Sequence, residues 1–138
     1  MNILVDTSVW SLGLRRAHRD LNPVERAIFF EWHDILKRGD ACLIGPILQE
    51  VLSGISNPKL VQDLALQLMT VTQIRTTQST WMLAAEFYNL CRAAGIVPEA
   101  IDMSICAAAS ESGIPIFTTD PDFTRYVKIL PISHHSVA

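Results

Sequence analysis

Four carboxylates in this sequence stand where an apolar segment ends or turns, and carboxylate oxygens are the ligands that hard divalent cations prefer. Asp6 ends the apolar run "ILV", and Asp120 follows "PIFTT". Glu50 lies on the flank of an apolar helical face, and Asp102 interrupts the apolar stretch "AIDMSICAAAS". An acidic cluster without His or Cys points to Mg²⁺ or Mn²⁺ rather than to Zn²⁺.

Each acid taken singly also has a purely structural explanation. Asp6 can cap the turn or helix after its strand, and Asp102 can complement the dipole at a helix start. Glu50 can be a solvated flank residue, and Asp120 is a natural N-cap. Together they are harder to explain, because two charges about 4 Å apart repel by about 4 kcal/mol at an effective dielectric of about 20. A fold that gathers four carboxylates needs a cation or bound protons.

The elements that must position these acids follow from hydrophobic periodicity and from Asn, Pro and Gly at helix ends. Short apolar segments predict strands at 2–5, 41–44 and 115–118, with 71–74 as a strand or connection and 128–130 as a last strand. Apolar residues at helical spacing predict helices that begin at Pro23, Pro46, Pro58, Ser79 and Pro98, with a helical turn at 120–127.

Strands that alternate with helices in this way predict an α/β fold with a parallel sheet. No linker, repeat or low-complexity block interrupts the 138 residues, so one domain over 1–138 is expected. In such sheets, ligands bind outside the carboxyl ends of the strands. Asp6 and Asp120 are therefore expected at the same edge of the sheet.

Composition limits the classes of function. The first residues lack the basic start of a signal peptide, and no apolar stretch is long enough to span a membrane, so a cytoplasmic location is expected. Cys42, Cys91 and Cys106 form no metal-ligand spacing and are expected to be buried. The formal net charge of −3, taken alone, argues mildly against nucleic-acid binding.

The segments that carry the acids resemble PIN-domain ribonucleases, and most closely the small VapC-type toxins of prokaryotic toxin–antitoxin pairs. The carriers are "ILVDTSVW", "LQEVLSG", "AIDMSICAAA" and "IFTTDPDF", in this order along nearly the whole chain. The resemblance implies a three-layer α/β/α sandwich around a short parallel sheet, with an acidic pocket that binds Mg²⁺ or Mn²⁺. It implies four catalytic acids, of which the first and third bind the metal directly: Asp6, Glu50, Asp102 and Asp120.

The same resemblance places hydroxyl groups near the pocket. Thr7 and Ser8 match the positions after the first acid, and Thr118 or Thr119 matches the position before the fourth. Ser8 and Thr118 are taken as auxiliary residues, with local turn hydrogen bonding as the alternative. Asp122 is a further auxiliary candidate, because the spacing around the fourth acid varies within the family.

The resemblance implies a toxin that hydrolyses RNA phosphodiester bonds, in which the cation activates water and stabilises the charge of the displacement. It also implies a cognate antitoxin, whose C-terminal segment blocks the pocket, and a homodimer, for which the helix at 79–94 is a candidate surface. Five of the 14 acidic residues lie in or beside the candidate pocket, so the net charge no longer argues against an RNA substrate.

Basic and aromatic residues outside the pocket are candidates for contact with RNA. Solvated surface positions and core packing are the alternatives for the basic and aromatic residues respectively. The candidates for phosphate contact are Arg15, Arg16, Arg19, Lys37, Arg38, Arg125 and Lys128. The candidates for base stacking are Trp10, Trp32 and Trp81.

Three other classes of protein share parts of this pattern. A phosphatase of the haloacid dehalogenase type also begins with a strand that ends in Asp, but it has a second Asp two residues later, where this sequence has Ser8. A receiver domain has an adjacent acidic pair early and an Asp after a middle strand, whereas Glu50 falls within a predicted helix. A catalytically inactive PIN-like module that binds RNA or protein stays open as the alternative function.

Overall fold

The computed structural model describes residues 1–15 and 18–137 of the chain. In this part of the chain, four short strands form one parallel sheet. The strands are β1 (Ile3–Val5), β2 (Ala41–Leu43), β3 (Thr72–Gln73) and β4 (Ile116–Phe117). Their order in the sheet is β3-β2-β1-β4, so β1 is central and pairs with both β2 and β4.

Helices connect the strands and flank the sheet, which gives the predicted three-layer α/β/α arrangement. The helices of the described residues are α1 (Thr7–Arg15), α2 (Pro23–Arg38), α3 (Gly45–Leu52), α4 (Pro58–Leu68), α5 (Gln78–Ala93), α6 (Ala100–Ser112) and α7 (Phe123–Tyr126). A 3-10 turn at His18–Asp20 stands between α1 and α2.

Two helices, α2 and α4, begin at the predicted prolines, and asparagine side chains cap both of them. The side chain of Asn22 accepts a hydrogen bond from the backbone of Glu25, whose own side chain accepts one from the backbone of Asn22, as in a capping box. The side chain of Asn57 likewise accepts from the backbone N–H groups of Lys59 and Leu60. The helix predicted at Pro98 begins two residues later, at Ala100.

The core lies on both faces of β1, whose three residues are all buried. The rings of Trp10 on α1 and Trp32 on α2 meet edge to face, with their centroids 5.8 Å apart. All three cysteines are buried and free, as predicted. None of the described helices combines the length and apolar character that crossing a bilayer requires.

The strand predicted at 128–130 is wrong, since this segment forms a turn after α7. The backbone N–H groups of Ile129 and Leu130 both donate to the carbonyl of Tyr126, so they do not pair with a neighbouring strand. A later segment lies beside β4 instead, where an isolated parallel bridge joins Ile116 to His134. Helix α1, which follows β1, is an element that the hydrophobic pattern did not predict.

Candidate metal-binding site

Asp6 emerges from the carboxyl end of the central strand, and its side chain is only 5% exposed. Its backbone N–H donates to the carbonyl of Phe117 on β4 at 2.8 Å, which fixes the start of the side chain. Its Oδ2 atom accepts hydrogen bonds from the hydroxyls of Ser8 at 2.7 Å and Thr118 at 2.8 Å. Asp6 is thus held by one residue of its own segment and one that follows β4.

The two hydroxyls also organise the loop that carries the fourth acid. Ser8 Oγ accepts from the backbone N–H of Thr119 at 3.0 Å, and Thr118 Oγ1 accepts from the backbone N–H of Asp120 at 3.0 Å. Each hydroxyl therefore donates its proton to Asp6 and accepts from the loop. This network ties the end of β1 to residues 118–120. Asp6 and the loop that carries Asp120 therefore lie at the same edge of the sheet.

Asp102 lies in the first turn of α6, and its side chain is 8% exposed. Its Oδ2 atom accepts a hydrogen bond at 3.0 Å from the hydroxyl of Tyr126 on α7. Burial raises the pKa of Asp102 to about 7; the Tyr126 hydrogen bond opposes this rise, and the negative charges of Asp6, Asp120 and Glu99 add to it. This carboxyl is therefore harder to ionise than an ordinary aspartate.

Asp102, Asp120 and Asp122 form a three-carboxylate group, in which one oxygen of each residue lies within 4.8 Å of those of the other two. Asp120 Oδ1 accepts a hydrogen bond from the backbone N–H of Asp122 at 2.9 Å, which keeps these two residues in a tight turn. Asp122 Oδ1 also accepts from Arg125 at 2.6 Å. Asp122, which the sequence offered as an auxiliary candidate, therefore lies in the same carboxylate group as Asp120.

Glu50 lies on α3 and is not a member of the three-carboxylate group. Its Oε1 atom accepts a hydrogen bond from Thr7 Oγ1 at 2.7 Å. Because Thr7 directly follows Asp6, this contact places Glu50 at the margin of the site on the β2 side. The structure thus brings Asp102, Asp120 and Asp122 together, sets Asp6 close enough to perturb Asp102, and links Glu50 through a hydroxyl.

The donor set fits a hard divalent cation. The three-carboxylate group offers only oxygen ligands, and Mg²⁺ and Mn²⁺ prefer carboxylate oxygens and water. Burial and the neighbouring carboxylates raise the pKa of Asp102, and a cation bound beside it would offset this cost of ionisation. Arg125 is a cationic partner of Asp122, whose side chain is 38% exposed.

The residues proposed for RNA contact differ in their exposure and in their ion pairing. Trp10 and Trp32 are buried in the core and do not present a face to a base, whereas Trp81 is 41% exposed on α5. Arg125 and Arg38 are engaged with aspartates at 2.6 and 3.0 Å. Arg19, Lys37 and Lys128 are also exposed, and Arg19 lies 3.9 Å from Asp20. Arg16 lies outside the described residues, and only the helical backbone of Arg15 is described.

Sequence reasoning missed Tyr126 altogether. The signal was present, because Tyr126 follows Asp122 by four residues in "DPDFTRYV", a helical spacing that sets the two on one face. Its meaning depended on Asp102, which is 24 residues away along the chain and meets Tyr126 only in the folded protein.

A parallel sheet between helices, with acidic residues at its carboxyl edge, defines the PIN domain as the class of this protein. A family model of the PIN domain matches residues 3–129, so the chain belongs to the PIN domain family, as predicted. Comparison with curated proteins gives no match.

Several solved structures share this fold. VapBC2 from Rickettsia felis, bound to a DNA fragment from its promoter, has a TM-score of 0.72 at 13% identity, with 98% of each chain covered. FitAcB from Neisseria gonorrhoeae has a TM-score of 0.68 at 19% identity, with 96% of each chain covered. VapC20 from Mycobacterium tuberculosis, a sarcin-ricin loop cleaving toxin, has a TM-score of 0.67 at 19% identity, over 96% of this chain and 99% of that one.

Proposed function

We propose that this protein is a metal-dependent endoribonuclease and the toxin of a VapBC-type toxin–antitoxin pair. The observation that carries the proposal is the three-carboxylate group, with Asp102 buried in it and Asp6 beside it at the carboxyl edge of the sheet. Membership in the PIN family and the similarity to VapC20, a toxin that cleaves the sarcin-ricin loop, support this function.

The proposed roles follow the positions of the acids. Asp6 and Asp102 hold the cation. Asp120 completes the acidic pocket, with Asp122 beside it. Glu50 contributes its negative charge from the margin of the pocket, where it is hydrogen-bonded to Thr7. Bound Mg²⁺ or Mn²⁺ supplies activation of water and stabilisation of the charge that develops on an RNA phosphodiester.

The protein's own contribution is geometry and charge. The hydroxyls of Ser8 and Thr118 hold Asp6 in one orientation, and burial of Asp102 excludes water from one side of the site. The gathered carboxylates concentrate negative charge that only a cation can offset when all are ionised.

The test uses purified protein, free of antitoxin, and total cellular RNA with Mg²⁺, Mn²⁺ or EDTA. We expect discrete cuts that require the metal and disappear in Asp6→Asn and Asp102→Asn. Asp34→Asn is the matched control, because Asp34 is an exposed aspartate of α2 that lies outside the three-carboxylate group. Mapping the cut ends identifies the RNA target.

The alternative is a catalytically inactive PIN-like module that binds RNA or protein. The same experiment separates the two functions, provided that circular dichroism shows each variant to be folded. Absence of cleavage by folded wild type, or cleavage that both substitutions leave unchanged, would contradict the nuclease and favour the binding module.

We further propose that residues 1–138 form a single PIN domain that acts in the cytoplasm with a cognate antitoxin. The VapBC complexes among the similar structures support the antitoxin. Co-expression with the product of an adjacent antitoxin gene, followed by affinity purification, tests it. A stable complex that no longer cleaves RNA is expected, and failure of the two to associate would contradict this partnership.

We also propose a homodimer through α5. Three large apolar side chains of this helix are at least two-fifths exposed, and a second copy of the chain packed on α5 would cover them. They are Trp81, Met82 and Leu90. Sedimentation equilibrium should give twice the mass of one chain, and Met82→Glu should shift the protein to the monomer. A monomeric wild type would exclude this interface.

A further inference from the structure

Tyr126 is a buried residue whose hydroxyl contacts the candidate metal site without being part of it. The side chain is 1% exposed, and its hydroxyl donates to Asp102 Oδ2 at 3.0 Å. Tyr126 ends α7, the short helix that follows Asp120 and Asp122. One hydrogen bond therefore joins the helix that carries Asp102 to the segment that carries the other two acids.

Packing alone does not require this hydroxyl. The neighbouring ring of Phe123 is fully buried and meets the Tyr126 ring edge to face at 5.2 Å, so this part of the core is apolar. A phenylalanine at position 126 would fill nearly the same volume. A buried phenol needs a hydrogen-bond partner, and here the partner is a carboxylate of the three-carboxylate group.

We infer that Tyr126 is a positioning residue, whose hydroxyl fixes the plane of the Asp102 carboxylate and its distance to Asp120 and Asp122 for a divalent cation. This inference rests on the proposed function. A carboxylate on a helix rotates about its terminal bond, and a donor fixed at one oxygen restricts that rotation. Partners of this kind typically change metal affinity by about 10- to 100-fold when they are removed.

The first experiment measures Mn²⁺ binding by electron paramagnetic resonance, with no RNA present. We expect Tyr126→Phe to weaken Mn²⁺ binding by about 10- to 100-fold while the fold is retained. Thr80→Val is the matched control, because Thr80 is also buried and its hydroxyl also donates to a carboxylate, that of Glu111 at 2.6 Å. The control should lose thermal stability and keep its Mn²⁺ affinity.

The outcomes distinguish the two proposals. If wild type does not bind Mn²⁺, the proposed function fails. If wild type binds and Tyr126→Phe binds equally well, the inference about Tyr126 is wrong and the proposed function stands. Equal weakening by Tyr126→Phe and Thr80→Val would also overturn it, since the effect would then be one of general destabilisation.

A second measurement covers the case in which Tyr126→Phe does not fold. The chain has two tyrosines, so 3-fluorotyrosine labelling of the otherwise unaltered protein gives two fluorine resonances, and Tyr88→Phe assigns them. Saturating Mg²⁺ should shift the Tyr126 resonance and leave that of Tyr88 in place. A Tyr126 resonance that does not move at a Mg²⁺ concentration shown to saturate the protein would refute the inference.

Discussion

The hydroxyl of Thr118 donates a hydrogen bond to the carboxylate of Asp6 across 2.8 Å, although the two residues are 112 positions apart in the chain. The contact joins the residue after β1 to the residue after β4, and these two strands pair in parallel. Parallel pairing of the two strands thus brings distant segments of the chain together at one site.

Removing the donors of Asp6 should destabilise the protein. Thr118→Val and Ser8→Ala each delete one hydrogen bond to the same oxygen, and each should lower the free energy of unfolding by about 1.5–3 kcal/mol, the usual range for hydrogen bonds to charged groups. The double variant should lose more than the sum, because only a 3.4 Å contact from the Ser8 backbone then remains.

Urea unfolding at neutral pH in EDTA provides the measurement. Thr70→Val is the control, because this exposed hydroxyl donates only to the carbonyl of Gln67 on α4. A strictly additive double variant would show that the two hydroxyls act on Asp6 independently.

Asp102 should make the metal-free protein less stable as the pH rises. In the folded protein its pKa is raised by burial from the ordinary value of 3.8 to about 7. Between these values the unfolded chain releases the proton while the folded protein keeps it, so the folded state loses stability with rising pH. Below pH 3.8 this loss is absent, and above pH 7 it is complete.

The measurement is the free energy of unfolding of wild type and Asp102→Asn in EDTA from pH 4 to pH 8. Asparagine cannot ionise and still offers an oxygen to Tyr126. The variant should therefore gain stability relative to wild type as pH rises through this window, and the gain should level off near pH 7. A difference that does not change with pH would show that Asp102 is not buried as a neutral carboxyl.

Magnesium should stabilise the folded protein, and Asp120 should contribute more than Asp122 to this gain in the free energy of unfolding. Binding to the folded state alone adds about 2.7 kcal/mol when the free cation is at 100 times its Kd. Asp120→Asn should remove most of this gain, whereas Asp122→Asn should remove less, because Arg125 already pairs with Asp122 at 2.6 Å.

Thermal unfolding with and without Mg²⁺ gives the comparison. Asp34→Asn should keep the full stabilisation, because this exposed residue of α2 lies outside the three-carboxylate group. If Asp122→Asn abolishes the effect and Asp120→Asn does not, the fourth acid of the site is Asp122.

Gly13 should be essential for the packing of α1 on α2. A Cβ atom placed there would lie 2.6 Å from the ring of Trp32, closer than real side chains approach. Alanine normally stabilises a helix relative to glycine by about 1 kcal/mol, but overpacking costs about 1–3 kcal/mol. Gly13→Ala should therefore lower the melting temperature despite its higher helix propensity.

Gly45→Ala is the comparison, because Gly45 is also a helical glycine. It is the first residue of α3, and a Cβ atom there would meet no atom within 4 Å. It should leave the melting temperature unchanged or raise it. Retained stability in Gly13→Ala would mean that Trp32 can move away from α1 at little cost.

The sequence by itself determined the order and type of most elements. Apolar runs and cap residues predict β1, β2, β4 and the longer helices close to their observed bounds, because burial and capping act over a few neighbouring residues. The same local rules failed at 128–130, an apolar segment whose backbone donors are used by the turn after α7.

For the site, the sequence shows which acids are candidates, and the predicted parallel sheet puts Asp6 and Asp120 at one edge. The resemblance implies that all four acids share a pocket, whereas the tertiary structure decided their contacts. No local pattern could show that Thr118 holds Asp6, that Tyr126 holds Asp102, or that Glu50 reaches the site through Thr7. The raised pKa of Asp102 likewise follows from burial and from charges brought near it by folding. Such properties depend on distances between segments far apart in the chain, and only the packed sheet and helices set those distances.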